Sequence, residues 1–133
     1  MCGFSGIINR NNHPVPERMI KEMNELINHR GPDGEGIYLN TNFALGHRRL
    51  SIIDLSQDGH QPMAYLNKYV ITYNGEIYNY LEIKNDLQKT GYTFRSHTDT
   101  EVILAAYDKW GTECVKRFNG MWAFAIHDNT KNT

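Results

Sequence analysis

The chain has 133 residues, of which 40% are hydrophobic and 22% are charged, a composition typical of one globular domain and not of a disordered chain. Fourteen Lys and Arg against fifteen Asp and Glu give a net charge of −1, which argues against a nucleic-acid-binding domain driven by bulk charge. No apolar run approaches the roughly 18 residues of a membrane span, and two cysteines exclude a disulfide framework. The N-terminus lacks a signal-peptide pattern, so the sequence predicts a cytoplasmic protein.

The first fifty residues predict a strand, a helix and a pair of strands. Cys2–Ile8 is typical of a short buried strand, and Pro16–Asn28 has the spacing of an amphipathic helix. Residues 29–34 predict a loop, and Gly36–Asn40 and Phe43–Gly46 are predicted to pair as strands. The buried face of the helix is predicted to contain five residues: Met19, Ile20, Met23, Leu26 and Ile27.

The middle of the chain continues with two apolar runs and two helices. Leu50–Leu55 and Tyr69–Tyr73 are apolar runs typical of strands. Tyr80–Thr90 predicts a helix, and Thr98–Glu101 has the spacing of a capping box that begins another. This second helix is predicted to end at Gly111.

The last strong signal is a strand at Met121–His127, with Trp122, Phe124 and Ile126 on one side. Residues 128–133 have the composition of a hairpin turn, and no second strand follows them. The pattern therefore predicts a chain cut inside a β-hairpin, with Met121–His127 at a sheet edge. Strands and helices do not alternate regularly, which favours an α+β fold over a parallel doubly wound sheet.

Cys2 is the first candidate for catalysis, because it becomes the first residue of the chain once Met1 is removed. A cysteine attacks as its thiolate and needs a base close by. An N-terminal cysteine carries its own base, since a free α-amine has a pKa of about 7.7–8.0. Position alone favours the alternative, a small residue in a first strand.

Asn74 and Gly75, within the segment Tyr73–Asn79, are candidate donors to an oxyanion. The sequence predicts that a strand ends at Asn74, where a side-chain amide and the next N–H could point at one oxygen. The structural alternative is an ordinary Asn-Gly turn.

Charged residues at the ends of elements are candidates for holding a charged substrate. Arg48 and Arg49 precede the predicted strand at Leu50–Leu55, where an arginine could present a two-pronged donor to a carboxylate. For Arg48 we favour a solvated position. Asp99 lies at a helix start, where it could accept from an ammonium group, although its local sequence favours helix capping.

Three further features carry weaker signals. Arg30–Gly34 fits a mobile loop near a site or an ordinary turn. The six histidines lack the spacing of metal-binding motifs, so no metal site is predicted. Cys114 has no adjacent base and is predicted to be structural.

Seven segments carry a family resemblance: Met1–Phe4, His29–Asp33, His47–Asp54, Gln61–Met63, Tyr73–Asn79, Ser96–Val102 and Phe118–Ala125. In this order they closely resemble the glutaminase domain of glutamine-hydrolysing asparagine synthetases, which are class II glutamine amidotransferases. The resemblance extends over residues 1–133. It implies the N-terminal nucleophile hydrolase fold, a four-layer αββα sandwich of antiparallel sheets, incomplete here at its C-terminus.

The resemblance also implies roles for individual residues. Cys2 would be the nucleophile, and Asn74 with Gly75 would form the oxyanion hole. The implied glutamine pocket contains nine residues: Arg49, Leu50, Ser51, Ile52, Ile53, Asn74, Gly75, Glu76 and Asp99.

Within that implied pocket, Arg49 would hold the α-carboxylate of glutamine, and Asp99 and Glu76 its α-ammonium group. The resemblance implies hydrolysis of glutamine to glutamate and ammonia through a thioester, with no cofactor. In the family the ammonia passes to a synthetase domain, where ATP and Mg serve the activation of aspartate. That domain lies outside these 133 residues. The expected partners are glutamine, a synthetase domain or subunit, and in some settings a second copy in a homodimer, with no nucleic acid and no membrane.

Two alternatives stay open at this point. The ammonia acceptor could differ, because related class II domains supply ammonia to sugar phosphates, phosphoribosyl pyrophosphate or other acceptors. The segments His47–Asp54 and Tyr73–Asn79 favour the asparagine synthetase branch. The chain could also be a non-catalytic fragment that acts as an interaction module.

Overall fold

A computed structural model describes residues 2–51, 59–131 and 133. The strands within these residues form two three-stranded antiparallel sheets. The first half of the chain contains β1 (Gly3–Ile8), α1 (Glu17–Leu26), β2 (Gly34–Leu39) and β3 (Phe43–Arg49). The second half contains β4 (Met63–Tyr65), β5 (Tyr69–Ile77), α2 (Tyr80–Lys89), α3 (Asp99–Trp110) and β6 (Gly120–Asp128).

The first sheet has the order β1-β3-β2, and α1 covers its outer face. The predicted pairing of the second and third strands is confirmed, since Leu39 lies opposite Ala44 in an antiparallel register. The core under α1 is small and consists of Val15, Ile20 and Ala44, with Ile7 and Ile37 packed against them.

The predicted buried face of α1 is wrong in most of its members. Met19, Met23 and Leu26 are 46%, 36% and 78% exposed, whereas Ile20 and Asn24 are fully buried. Asn24 lies against Gly46 of β3, where an added Cβ would come within 2.1 Å of the Asn24 Oδ1. The helix therefore contacts the sheet through a buried carboxamide, and this contact turns its apolar stripe toward solvent.

The second sheet has the order β4-β5-β6, and α2 and α3 lie on its outer face. The capping prediction for α3 is confirmed, because the Thr98 Oγ1 accepts a hydrogen bond from the Glu101 N–H. The helix ends at Gly111, which has a positive φ of 58°. The core of this layer contains thirteen buried residues: Tyr65, Tyr69, Ile71, Tyr73, Ile77, Ile83, Leu87, Val102, Ile103, Leu104, Ala105, Ala106 and Cys114.

The two sheets face each other through a third cluster formed by Phe43, Leu45 and Val70. The layers therefore follow the order α1, first sheet, second sheet, and α2 with α3, which confirms the α+β class and the αββα sandwich. Among the described residues, no helix is both long and apolar enough to cross a bilayer.

Two strand predictions need correction or qualification, and a third is confirmed. β5 continues through Asn74 to Ile77 and does not end at Asn74. Leu50 and Ser51 lie outside any strand, and the rest of the predicted strand at Leu50–Leu55 lies outside the described residues. The strand predicted at the end of the chain is confirmed, with Trp122, Phe124 and Ile126 packed on the large core. Within the described residues β6 pairs on one side only, with β5.

Candidate active site

One pocket lies where the end of β3, the end of β5 and the start of α3 meet. It is lined by Cys2, Arg49, Leu50, Ser51, Gly59, Gln61, Tyr73, Asn74, Gly75, Glu76, Tyr78, Thr98, Thr100 and Met121. These residues come from both sheets, so the pocket exists only when the two sheets are packed together.

The Cys2 thiol lies against the backbone of Leu50. The Leu50 N–H donates to the Cys2 Sγ at 3.3 Å, and the Sγ lies 3.6 Å from the Leu50 carbonyl oxygen. The Arg30 Nε donates to the Cys2 carbonyl oxygen at 3.2 Å. Cys2 is half-buried and lines the pocket, so these contacts fix its position at the pocket wall.

The loop Arg30–Gly34 braces the segment next to Cys2. The Asp33 N–H donates to the Arg49 carbonyl oxygen at 3.0 Å, and the Ser51 N–H donates to the Asp33 Oδ2 at 2.8 Å. Gly31 packs so closely that an added Cβ would lie 2.4 Å from the Arg48 carbonyl oxygen. The structure therefore places Arg30–Gly34 as a closely packed turn beside the site.

Asn74 and Gly75 lie inside β5, which excludes the Asn-Gly turn alternative. Gly75 has a φ of +154°, and an added Cβ would lie 2.3 Å from the Met121 carbonyl oxygen of β6. Only glycine fits this approach of β6. Backbone directions alternate along a paired strand, and the Ile77 N–H, two residues further on, points to Asp99. The Gly75 N–H therefore faces the same open side of β5.

Asp99 lies behind the pocket wall. Its Oδ2 accepts from the Tyr73 hydroxyl at 2.6 Å and from the Ile77 N–H at 3.1 Å. Burial raises the pKa of Asp99, and burial together with the Asp99 charge raises the pKa of Tyr73. The local expectation that Asp99 caps α3 is wrong, because Thr98 is the capping residue.

The two adjacent arginines have different surroundings. Arg49 lines the pocket, and its guanidinium lies beside Gly59, where an added Cβ would be 2.6 Å from the Arg49 Nη2. Arg48 points toward α1, where it donates to the Glu25 carboxylate at 2.7 Å and the Asn24 carbonyl oxygen at 3.2 Å. The side chain of Arg48 is 11% exposed, so the expectation of a solvated position is wrong.

The pocket brings together seven of the predicted site residues: Cys2, Arg49, Leu50, Ser51, Asn74, Gly75 and Glu76. Asp99 is in the layer behind them, and Ile52 and Ile53 lie outside the described residues. Glu76 is exposed and faces the same space as Arg49. The pocket wall thus carries one cation and one anion beside a thiol, which suits a ligand with both charges.

Sequence reasoning assigned no role to several lining residues: Gly59, Gln61, Tyr73, Tyr78, Thr98, Thr100 and Met121. Gln61 and Tyr73 stood within motifs of the family resemblance. The capping signal places Thr98 and Thr100 at the start of α3, and this first turn forms part of the pocket wall. Tyr78 and Met121 also lie within resemblance segments, Tyr73–Asn79 and Phe118–Ala125, whereas Gly59 lies in none of them.

The second cysteine is a structural residue of the large core. Cys114 is fully buried, and burial raises the pKa of its thiol to about 11. Across residues 2–51, 59–131 and 133, no group of three His, Cys, Asp or Glu side chains has an arrangement suited to a metal ion.

The fold is similar to that of solved amidotransferases. A glutamine phosphoribosylpyrophosphate amidotransferase from Bacillus subtilis superposes with a TM-score of 0.78 at 20% identity, over 96% of this chain and 35% of that one. An allosteric regulatory enzyme of purine biosynthesis superposes with a TM-score of 0.79. At this identity the likeness establishes the N-terminal nucleophile hydrolase fold alone.

Sequence comparison gives much closer relatives. A putative glutamine-hydrolysing asparagine synthetase of Methanocaldococcus jannaschii is 48% identical over 98% of this chain. Glutamine-hydrolysing asparagine synthetases of Bacillus subtilis and Escherichia coli are 46% and 39% identical over 95% and 99% of the chain. The chain spans 28%, 20% and 24% of the lengths of these three proteins. The glutamine amidotransferase domain pattern matches residues 1–133, and the chain therefore belongs to the glutamine amidotransferase domain family.

Proposed function

We propose that this chain hydrolyses L-glutamine to glutamate and ammonia, with Cys2 as the nucleophile. One observation carries the proposal: the Cys2 thiol shares a pocket with Asn74 and Gly75, which could bind an oxyanion, and with Arg49 and Glu76, which could bind an amino acid. The match of the whole chain to the amidotransferase domain supports the same chemistry.

The charges of the pocket fit the α-carboxylate and α-ammonium groups of glutamine. The Arg49 guanidinium presents two parallel donors to a carboxylate, and Glu76 accepts from the ammonium group. Asp99 would add a second negative charge behind the wall, where it accepts a hydrogen bond from the Tyr73 hydroxyl. The segment from Leu50 to Ile53, of which Leu50 and Ser51 line the pocket, would contact the side chain of glutamine.

The proposed reaction begins when the α-amine of Cys2, freed by removal of Met1, takes the thiol proton. The thiolate attacks the side-chain carbonyl carbon of glutamine, and the electron pair of the C=O moves to oxygen. The Asn74 amide and the Gly75 N–H stabilise that oxyanion.

The tetrahedral intermediate then loses its nitrogen. The α-ammonium of Cys2 returns the proton to the leaving nitrogen, ammonia departs, and a glutamyl thioester remains. The same amine removes a proton from water, which attacks the thioester to give glutamate and the free thiol. No cofactor enters these steps.

The relatives are named asparagine synthetases, which favours asparagine synthesis as the reaction that consumes the ammonia. In that setting a synthetase domain or subunit receives the ammonia, and ATP and Mg act only there. The 46–48% identity to asparagine synthetases supports this acceptor. The superposition on a phosphoribosylpyrophosphate amidotransferase concerns the fold and does not favour that acceptor. A cytoplasmic location and a homodimer stay predictions.

The test is to incubate the purified chain, with Met1 removed, with L-glutamine and to measure glutamate and ammonia. We expect Cys2→Ser to abolish both products, because a hydroxyl is much harder for an amine to deprotonate. Cys114→Ser is the matched control and should retain activity, since Cys114 lies in the core of the α2 and α3 layer. Equal activity of the Cys2→Ser variant and the unmodified chain would overturn the proposal.

A further inference from the structure

The short strand β4 leaves the Tyr73 N–H and C=O, on the β4 side of β5, without a strand partner. β4 pairs with β5 only as far as Met63, which lies opposite Ile71. In an antiparallel ladder the N–H and C=O groups on one side of a strand recur every second residue. The next such groups on β5 belong to Tyr73, which is buried, and buried backbone groups need a partner.

Gln61 supplies the partner for the Tyr73 N–H. Its Oε1 accepts from the Tyr73 N–H at 2.6 Å, and its Nε2 donates to the Thr100 Oγ1 at 3.3 Å. Gln61 is only 7% exposed. Its side chain therefore replaces one rung of the missing ladder and joins β5 to the first turn of α3.

His47 supplies the partner for the Tyr73 carbonyl from the other sheet. Its Nε2 lies 3.1 Å from the Tyr73 oxygen. Burial lowers the pKa of His47 to about 4, so the ring is neutral, and its single proton must be on Nε2 because a carbonyl only accepts. The Tyr73 N–H and C=O are thus held by Gln61, which precedes β4, and by His47 of β3 in the first sheet.

The consequence concerns the two residues that follow. Asn74 comes directly after the fixed carbonyl, and the Gly75 N–H lies on the same side of β5 as the anchored N–H groups of Tyr73 and Ile77. We propose that Gln61 and His47 are positioning residues that fix the backbone of Tyr73 and thereby aim the Asn74 amide and Gly75 N–H at the oxyanion. This inference rests on the proposed function and assigns a role to Gln61, which lies in the resemblance segment Gln61–Met63.

The main test variant is Gln61→Met, which keeps the length and packing of the side chain but removes the acceptor for the Tyr73 N–H. Loss of one oxyanion-hole donor costs about 10²–10³ in kcat, and misalignment should cost part of that. We expect kcat for glutamine to fall about 10- to 100-fold, with KM changed less than about threefold. Gln88→Met, on an exposed position of α2, is the matched control and should leave kcat unchanged.

Alkylation of Cys2 by iodoacetamide separates positioning from collapse of the site, because this displacement needs the thiolate but no oxyanion hole. Gln61→Met should alkylate at a rate within about twofold of the unmodified chain. Gln61→Glu, which keeps an acceptor oxygen, should retain more kcat than Gln61→Met and covers the case in which Gln61→Met fails to fold.

Two results would overturn the positioning role. One is unchanged kcat in Gln61→Met beside an active unmodified chain, and the other is an equal fall in kcat and alkylation rate. An unmodified chain that alkylates at Cys2 but releases no ammonia from glutamine would instead overturn the proposed function, and the positioning role with it.

Discussion

The two outer layers of the sandwich differ in how much apolar surface they bury. In the layer of α2 and α3, five consecutive helix residues, Val102 to Ala106, are fully buried. In the layer of α1, Ile20 is the one hydrophobic helix residue that is fully buried, and Met19 and Leu26 face solvent. The α3 layer should therefore supply most of the stability, since buried apolar area dominates the free energy of folding.

The two sides of the candidate site lie against these two differently packed layers. Asn74 and Gly75 lie on β5, which forms the floor of the large core, and the first turn of α3 completes that wall. Cys2 belongs to the thinly packed layer, where hydrogen bonds to Leu50 and Arg30 hold it. Local opening is easiest where few apolar groups are buried. Polar contacts therefore hold Cys2, the proposed nucleophile, whereas a hydrophobic core supports the opposite wall of the pocket.

The largest difference between the layers should appear on truncation of leucines. Leu104→Ala in α3 should lower the free energy of unfolding by about 3 kcal/mol, because Leu104 is fully buried and its loss leaves a cavity. Leu26→Ala in α1 is the matched control and should cost less than about 0.5 kcal/mol, since Leu26 is 78% exposed. Urea unfolding measures both. Equal losses of unfolding free energy would contradict the difference in buried apolar surface between the two outer layers.

The stability of the chain should depend on pH through His47, which joins the two sheets by its contact with Tyr73. Burial holds the pKa of His47 at about 4 in the folded chain, whereas an unfolded histidine has a pKa of about 6.5. Between these values the unfolded chain binds a proton that the folded chain does not, so stability falls as the pH falls from about 6.5 to 4. The full effect is about 3 kcal/mol, at roughly 1.4 kcal/mol for each pKa unit.

The measurement is the free energy of unfolding of the chain between pH 7 and 4.5, compared with that of His47→Gln. The variant should lose stability less steeply with falling pH, whatever its stability at pH 7. His97→Gln serves as the control because His97 is exposed, and it should keep the original slope. Parallel curves for the chain and His47→Gln would contradict the buried neutral ring.

A smaller effect should distinguish the two arginines at the end of β3. Arg49→Ala should raise KM for glutamine about tenfold or more, and Arg49→Lys should recover little, because an ammonium group cannot make the planar two-point contact. Arg48→Ala should leave KM within about twofold and lower the free energy of unfolding by about 1 kcal/mol or less, since its partners Glu25 and Glu35 are 72% and 37% exposed. Steady-state kinetics and urea unfolding of the three variants test this, and equal KM values for Arg48→Ala and Arg49→Ala would contradict it.

Periodicity predicted the elements better than it predicted which faces are buried. α3 and its Thr98 cap follow from local signals, because capping and apolar spacing act within a few residues. The orientation of α1 does not, since it depends on Asn24 fitting over Gly46, two residues far apart in sequence. An apolar stripe of Met19, Met23 and Leu26 gave no sign that a carboxamide would be buried instead.

In the site too, local sequence predicts the residue types that matter, but their positions depend on residues far away in the chain. Asn74 and Gly75 were recognised from their residue types, but their place inside β5 was not, because an Asn-Gly pair is typical of turns. The need for glycine comes from the approach of Met121 on β6. The role of Gln61 depends on where β4 ends, which no local pattern specifies.

In the proposed reaction Cys2 acts through its own α-amine, and this role can be tested by comparing glutamine hydrolysis by chains with free and blocked N-termini. Mass spectrometry identifies the first residue of each preparation, and ammonia release gives the rate. A chain that begins at Cys2 should be active. A chain that retains Met1 or an uncleaved tag should be folded but inactive, because the amine has become an amide that accepts no proton. Full activity with Met1 still attached would exclude the α-amine of Cys2 as the base, and loss of that activity in one His→Ala variant would identify a histidine as the base.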